Sequence, residues 1–356
     1  MLLCLQFSSG QTAQTEISDN LANTWQNQVN ETRMLQIVKF MSSDEFGGRR
    51  TGTDGDRLSQ SLLDTALDNF GLKKLTNRTD YRQIVPSFAD GESANILGSL
   101  RSSNLYDSIN ETIILSANAD HIGMISPTQI YNGANDNASG VSVTLEVAMI
   151  LSEVSKIYPF KKNIIFAFWA AEERGRLGSQ HFLKTGLLSE QNLSLELVIN
   201  LDQVGYDRGD GILKVSGGLD VPELYASGLT AAANEIGISR PNLYSTGRNS
   251  DHQTFLDNNT PAYTLIWESN GPNYHTVNDT WEKIDPNLLG ITAELILELL
   301  INQYDLVDTT IFLSAAIETS NSSSSSAGRI VSRLGVTITL SLMVYRMFFL
   351  RHRREQ

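Results

Sequence analysis

Residues 163–175 read NIIFAFWAAEERG. From Ile164 to Ala171 no polar side chain interrupts the run, and two carboxylates then stand side by side. A strand without polar alternation is covered on both faces, so its neighbours must bring apolar surface to each side. Three further stretches have the same character: TIILSAN (112–118), LELVINLD (195–202) and YTLIWES (263–269). Helical apolar spacing separates them, over Val141–Val154, Leu177–Leu188, Pro222–Glu235 and Pro286–Tyr304. Upstream, a Gly-rich loop FGGRRTGTDGDR (46–57) feeds a helix over Leu58–Asn69, and helical spacing also runs from Ile17 to Met41. The pattern predicts one α/β domain with no internal repeat: a central mixed, mostly parallel sheet with helices on both faces.

Composition narrows the partners. The chain has 356 residues, 41% hydrophobic and 19% charged, as expected of a packed domain. Its net charge is −13 although residues 329–356 carry six Arg against one Glu, so the body is the acidic part. Nucleic acid is excluded as a partner, since phosphate binding is driven by basic patches. Cys4 is the single cysteine, so there is neither an internal disulfide nor a thiolate zinc cluster. Imidazole chemistry must draw on His121, His181, His252, His275 and His352.

Four stretches end in carboxylates or histidine: GANDNASG with Asp136, FWAAEERG with Glu172 and Glu173, INLDQVG with Asp202, and NYHTVNDT with His275. The carboxyl ends of strands are where ligand sites gather in open α/β sheets. Alone, Glu172–Glu173 is explained by opening a helix, whose dipole favours acid. Beside Asp136, Asp202 and His275 in comparable contexts, a shared cation is the better account, with nitrogen and oxygen donors suited to zinc. One glutamate would bind the ion and the other would act as general base.

The order of these motifs (NGANDNASG, AAEE, NLDQVG, HTVNDT) resembles the M28 family of zinc aminopeptidases over roughly residues 30–305. GRRTGT (48–53) is similar to a stretch near the start of such domains. The resemblance implies a zinc-dependent hydrolase acting on a peptide or protein substrate. Asp136 would bridge two zinc ions, with a cis peptide to Asn137; Glu173 and His275 would complete the first site. Asp202 would belong to the second site, and Glu172 would be the base. Asp120 and Asp279 would orient ligands. NSDHQTF (249–255) is similar to a loop at the rim of the family's active site, where His252 would be a structural or rim residue.

One stretch departs from the family. SANADHIG (116–123) aligns with A-H-x-D-H-L-G through Asp120, His121 and Gly123, which leaves Asn118 where the second site's imidazole belongs. The alternative slides His121 into that role and loses the following Asp, since Gly123 stands there. On the Asn118 alignment, the first site keeps three donors and an open position, and the second is weak or empty. Two other functions stay open on the same residues. One is a glutaminyl-cyclase-like acyltransferase with a single zinc, although Tyr274 rather than Trp precedes His275. The other is a catalytically impaired, peptidase-like receptor or scaffold. Metal content of one or two ions, or none, separates these states.

The ends of the chain suggest a membrane. Residues 1–15 are similar to the tail of a signal peptide, and the domain is expected over 16–315. A Ser-rich linker (316–328) precedes a transmembrane helix over 329–350, whose apolar part, 334–350, is interrupted by Arg346. The basic tail 351–356 then predicts the domain on the extracytoplasmic side. A surface-lying helix and a secreted protein are the alternatives. Sequons at Asn30, Asn77, Asn110, Asn137, Asn192, Asn258, Asn278 and Asn321 agree with export.

Overall fold

Alternate side chains of the apolar strands point to opposite faces, and each face has its own core. Ile113, Leu115, Ile164, Phe166, Phe168 and Leu201 pack into one cluster. Ile114, Ile165, Ala167, Trp169 and Val198 pack into the other. This is the period of two that a doubly covered sheet requires. The computed structural model describes residues 25–308, apart from 77–78, 89–90, 104–109, 240, 246–249 and 268–270. The N-terminal segment, the Ser-rich linker, the C-terminal apolar segment and its basic tail lie outside the described residues.

In chain order the elements are α1 (Glu31–Met41), α2 (Asp54–Asn69), β1 (Lys73–Lys74), β2 (Arg82–Phe88), β3 (Gly91–Leu100), β4 (Glu111–Asn118), β5 (Met124–Ser126) and β6 (Gln129–Ile130). Then come α3 (Gly140–Ser155), β7 (Asn163–Trp169), α4 (Leu177–Lys184), α5 (Leu187–Glu190), β8 (Ser194–Leu201) and β9 (Lys214–Ser216). The last are α6 (Glu223–Glu235), β10 (Asn242–Tyr244), α7 (His252–Leu256), β11 (Ala262–Ile266) and α8 (Pro286–Glu298).

Local chemistry sets the helix ends. The helix expected over Ile17–Met41 is interrupted: Trp25 and Gln26 are helical, residues 27–30 are not, and α1 starts at Glu31, where the Asn30 side chain caps it by accepting from Arg33 N. Thr53 caps α2 in the same way, from Asp56 N, with Asp54 and Asp56 in its first turn. The helix expected over Leu177–Leu188 breaks into α4 and α5 at Gly186, whose φ of 70° ends the first. Residues Ala134–Ser155 are apolar and long enough to cross a bilayer, yet 89% of that window is buried inside the fold, which makes α3 a core helix.

The strand order is β1-β3-β7-β4-β8-β11-β9-β10, with β2 also on β3, in a nine-stranded sheet. Pairing is parallel through β7, β4, β8 and β11 and between β9 and β10. It is antiparallel at β1·β3, β2·β3, β3·β7 and β11·β9. The sheet is therefore mixed, and the expectation of mostly parallel pairing holds only for its centre. The difference comes from the β2–β3 hairpin, whose segments RQIVPSF and GESANILGSL carry Pro, Gly and polar residues and show no uninterrupted apolar run.

Candidate metal centre

The parallel centre of the sheet builds the site. Beyond β4 the chain runs through Ala119 and Asp120 to His121, beyond β7 it reaches Glu172 and Glu173, and beyond β8 it reaches Asp202. His275 lies in the connection after β11, and Asp136 in the turn that opens α3. Parallel neighbours end on the same rim, so residues far apart in sequence meet there. The peptide bond between Asp136 and Asn137 is cis, and Ala171, Gln203 and His275 take positive φ values of 55°, 56° and 53°. Non-glycine residues held in that region cluster where a site dictates the backbone.

Four side chains converge. One ligand atom each from His121, Asp136, Glu173 and His275 lies within 4.8 Å of the others. His275 Nε2 is 3.2 Å from both Asp136 Oδ2 and Glu173 Oε1. His121 Nδ1 is 3.0 Å from Glu173 Oε1 and 3.8 Å from Asp136 Oδ2. His121 and Asp136 are buried, and Glu173 and His275 are half-buried. Two imidazoles and two carboxylates are a donor set that could hold a divalent transition metal.

The surrounding hydrogen bonds fix these groups. Asp279 accepts from Asn135 N at 2.8 Å and Asp136 N at 3.0 Å, which pins the cis turn. Asp120 accepts from Glu172 N at 3.0 Å, from Glu173 N at 3.4 Å and from Thr51 Oγ1 at 3.0 Å, so it holds the Glu-Glu backbone. Arg49, within GRRTGT, is 1% exposed and was not singled out by its chemistry in the sequence. It donates to the carbonyls of Met41, Ala119, Asn132 and Gly133, tying the His121 and Asp136 segments together. The signal that could have found it is a charged residue inside a Gly-rich turn.

Asn118 is not among the converging donors. Its Oδ1 accepts from Asn137 Nδ2 at 2.7 Å and its Nδ2 donates to the Asp120 carbonyl at 3.3 Å. Asn137, a sequon residue, is 1% exposed, so its amide is committed inside the fold and is no sugar acceptor. Asp202 also stays outside the group of four, with its Oδ1 buried and without a hydrogen-bond partner. His252 is fully buried rather than at a rim, and its Nδ1 is 2.7 Å from Thr264 Oγ1.

Charge explains the spacing. Burial alone would raise the Glu173 carboxyl, but hydrogen bonds from His121 and His275 outweigh it and hold it well below its usual range. Burial would lower His275, yet Asp136 and Glu173 hold its imidazolium well above the usual histidine range. Glu172 lacks such a partner. Burial, then Asp251 and Asp202, push its carboxyl well above the ordinary value. Burial also draws the Arg49 guanidinium down to about 10, against the pull of Asp136, Asp279, Asp120 and Glu173. Next to Asp136 opens a shallow cleft, bordered by Gln203, Tyr206, Tyr274, Asp279 and Lys283. Tyr274 stacks on the His275 ring at 3.8 Å and an interplanar angle of 19°.

Known proteins share this pattern. The family model of peptidase family M28 matches residues 95–300. Aminopeptidase YwaD of Bacillus subtilis is 32% identical over 238 residues, covering 64% of this chain and 49% of its own length. The chain thus spans about half the length of that relative. LapA of Legionella shares the fold with a TM-score of 0.66 and 20% identity, over 86% of this chain and 79% of its own. BSAP, a zinc aminopeptidase from Bacillus subtilis, does so with a TM-score of 0.63 and 19% identity, over 79% and 96%. The family model covers more than half of the 356 residues, and the rim of the sheet carries the clustered donors: this chain belongs to peptidase family M28.

Proposed function

We propose that the chain is a zinc-dependent metallopeptidase that releases residues from the free N-terminus of peptides. The observation that carries this is that His275 Nε2 lies within hydrogen-bond distance of both Asp136 and Glu173, on segments that follow different strands. Those three residues would hold zinc, which supplies Lewis acidity that polarises a scissile carbonyl and makes water nucleophilic near neutral pH. Family membership and the aminopeptidase relatives support the reaction class.

The protein's own groups would do the proton work. Glu172 is placed among carboxylates in a buried setting, so once ionised it is a stronger base than an exposed glutamate. It would take a proton from the attacking water and pass it to the leaving amine. Asp120 holds its backbone amide, and Asp279 holds that of Asp136, so both would act by orientation. The reading favours one ion per chain, because Asn118 offers no imidazole and Asp202 stands apart.

The test is release of free amino acids from aminoacyl reporter substrates with zinc supplied. Wild type should turn over and Glu172→Gln should be silent; equal silence of both overturns the hydrolase reading. Peptides with N-terminal Gln separate it from a cyclase. The Ser-rich linker, the apolar segment 334–350 and the Arg-rich tail support a membrane-anchored domain facing the extracytoplasmic side. Fractionation with and without residues 316–356 tests that, and a soluble full-length chain contradicts it.

A further inference from the structure

Two features of the rim point the same way. The first is the place of His121. Its backbone N donates to Arg49 O at 3.2 Å, and Arg50 and His121 form an isolated β-bridge, so the fold sets the direction of the ring. The ring is cradled by Gly133, at φ 62°, where an added Cβ would stand 2.6 Å from His121 Cδ2. Any side chain at 133 would push this imidazole away.

The separations bracket those of a coordination shell. Zinc bonds of about 2.0–2.2 Å to nitrogen and oxygen place tetrahedral donors roughly 3.3–3.6 Å apart. The four measured edges involving the imidazoles are 3.0 and 3.8 Å from His121, and 3.2 and 3.2 Å from His275. His121 is therefore placed as His275 is, facing the same two carboxylates.

The second feature is what fills the other half of the rim. Asn137 Nδ2 donates to Asn118 Oδ1 at 2.7 Å and to Leu201 O at 2.8 Å. Asn137 Oδ1 accepts from Gly140 N at 3.1 Å and Gln203 N at 3.3 Å. A neutral amide thus stitches the end of β4, the Asp136 turn and the end of β8. A cation at Asn118 Oδ1 would first have to displace a buried donor.

We propose that His121 is the fourth protein donor of a single-ion site, and that the Asn118–Asn137 amide bridge stands in place of a second ion. This rests on the metallopeptidase reading and sharpens it: His121, Asp136, Glu173 and His275 would hold the ion, and the attacking water would have to add to these four as a fifth ligand. The second histidine of the A-H-x-D-H-L-G pattern would supply the imidazole, and Asn118, at the position of the first, is committed to the Asn137 bridge.

X-ray absorption at the zinc edge, on the purified full-length chain with one equivalent of zinc, reads the shell directly. Two imidazoles per zinc are expected, and one imidazole overturns the proposal. Zinc affinity by chelator competition provides the second readout, with His121→Ala and, should that variant fold poorly, His121→Gln. At least a tenfold loss is expected for either, matching the direction of His275→Ala. If His275→Ala weakens binding and the His121 variants do not, this inference fails and the metallopeptidase reading stands. If His275→Ala also leaves binding unchanged, both fail. Two tightly held zinc ions in the wild type overturn the amide bridge.

Discussion

The two halves of the rim carry similar acidic side chains and behave differently. On one half, imidazole nitrogens of His121 and His275 lie 3.0–3.2 Å from Glu173 Oε1. On the other, Asp202 Oδ1, Asp251 Oδ2 and His252 Nε2 are buried without a partner. The hydrogen bonds there come from neutral groups, such as Ser179 Oγ to Asp251 Oδ1 at 2.6 Å. Burial pushes Asp202 up to about 8, with Asp136 adding to it, and pushes Asp251 up to about 7 against Ser179 and Arg176. The lesson is that carboxylates alone do not make a cation site. Where the backbone delivers imidazole, Glu173 is held low, and where it delivers amide and hydroxyl, Asp202 and Asp251 are driven towards neutrality.

The largest effect expected is from Glu172→Gln, which should lower kcat by roughly 10²–10⁴-fold. Zinc content should be unchanged, and its loss would move Glu172 into the ion-binding half. Removing a support comes next. Asp279→Ala frees the Asp136 turn and should weaken zinc affinity by about 10–100-fold in chelator competition. Asp251→Asn, in the other half, should leave affinity within about threefold. Asn118→His tests the division itself, since it returns an imidazole beside Asp202. Metal analysis should then rise from about one zinc per chain towards two; no rise would show that Asn118 is not what closes that half.

The pH effect is smaller. Burial, aided by Arg176, lowers His252 to about 3, so between the unfolded value near 6.5 and about 3 the unfolded chain binds a proton that the folded chain refuses. Stability should drop as the pH is lowered through that window, and His252→Gln should flatten this limb of the Tm profile. A limb of unchanged slope would place the titration elsewhere. Smallest is Lys156→Ala, which removes an exposed pair with Glu153 far from the comparison. It should change stability by less than about 0.5 kcal/mol in urea unfolding.

Much of this was legible in the chain. Largely apolar runs at 112–118, 163–170 and 195–202 marked doubly covered strands, and carboxylates after two of them marked the rim. The β2–β3 hairpin was not legible, because Asn95 and Ser99 are buried polar residues whose partners come together only in the fold: Asn95 bonds Gln83 across the hairpin and Gly178 beyond it, and Ser99 bonds Lys73. The place of His121 was not legible either. A one-dimensional motif fixes spacing, whereas Arg49, Gly133 and the β-bridge to Arg50 fix where the ring goes, and these come from three separate segments. Arg49 itself reads as a loop cation until its carbonyl partners are known.

Anomalous diffraction at the zinc absorption edge, from crystals of the full chain grown with zinc, tests the central claim most directly. The expected map has one peak per chain, among His121, Asp136, Glu173 and His275. A peak between Asp136 and Asp202 with none among those four would contradict it.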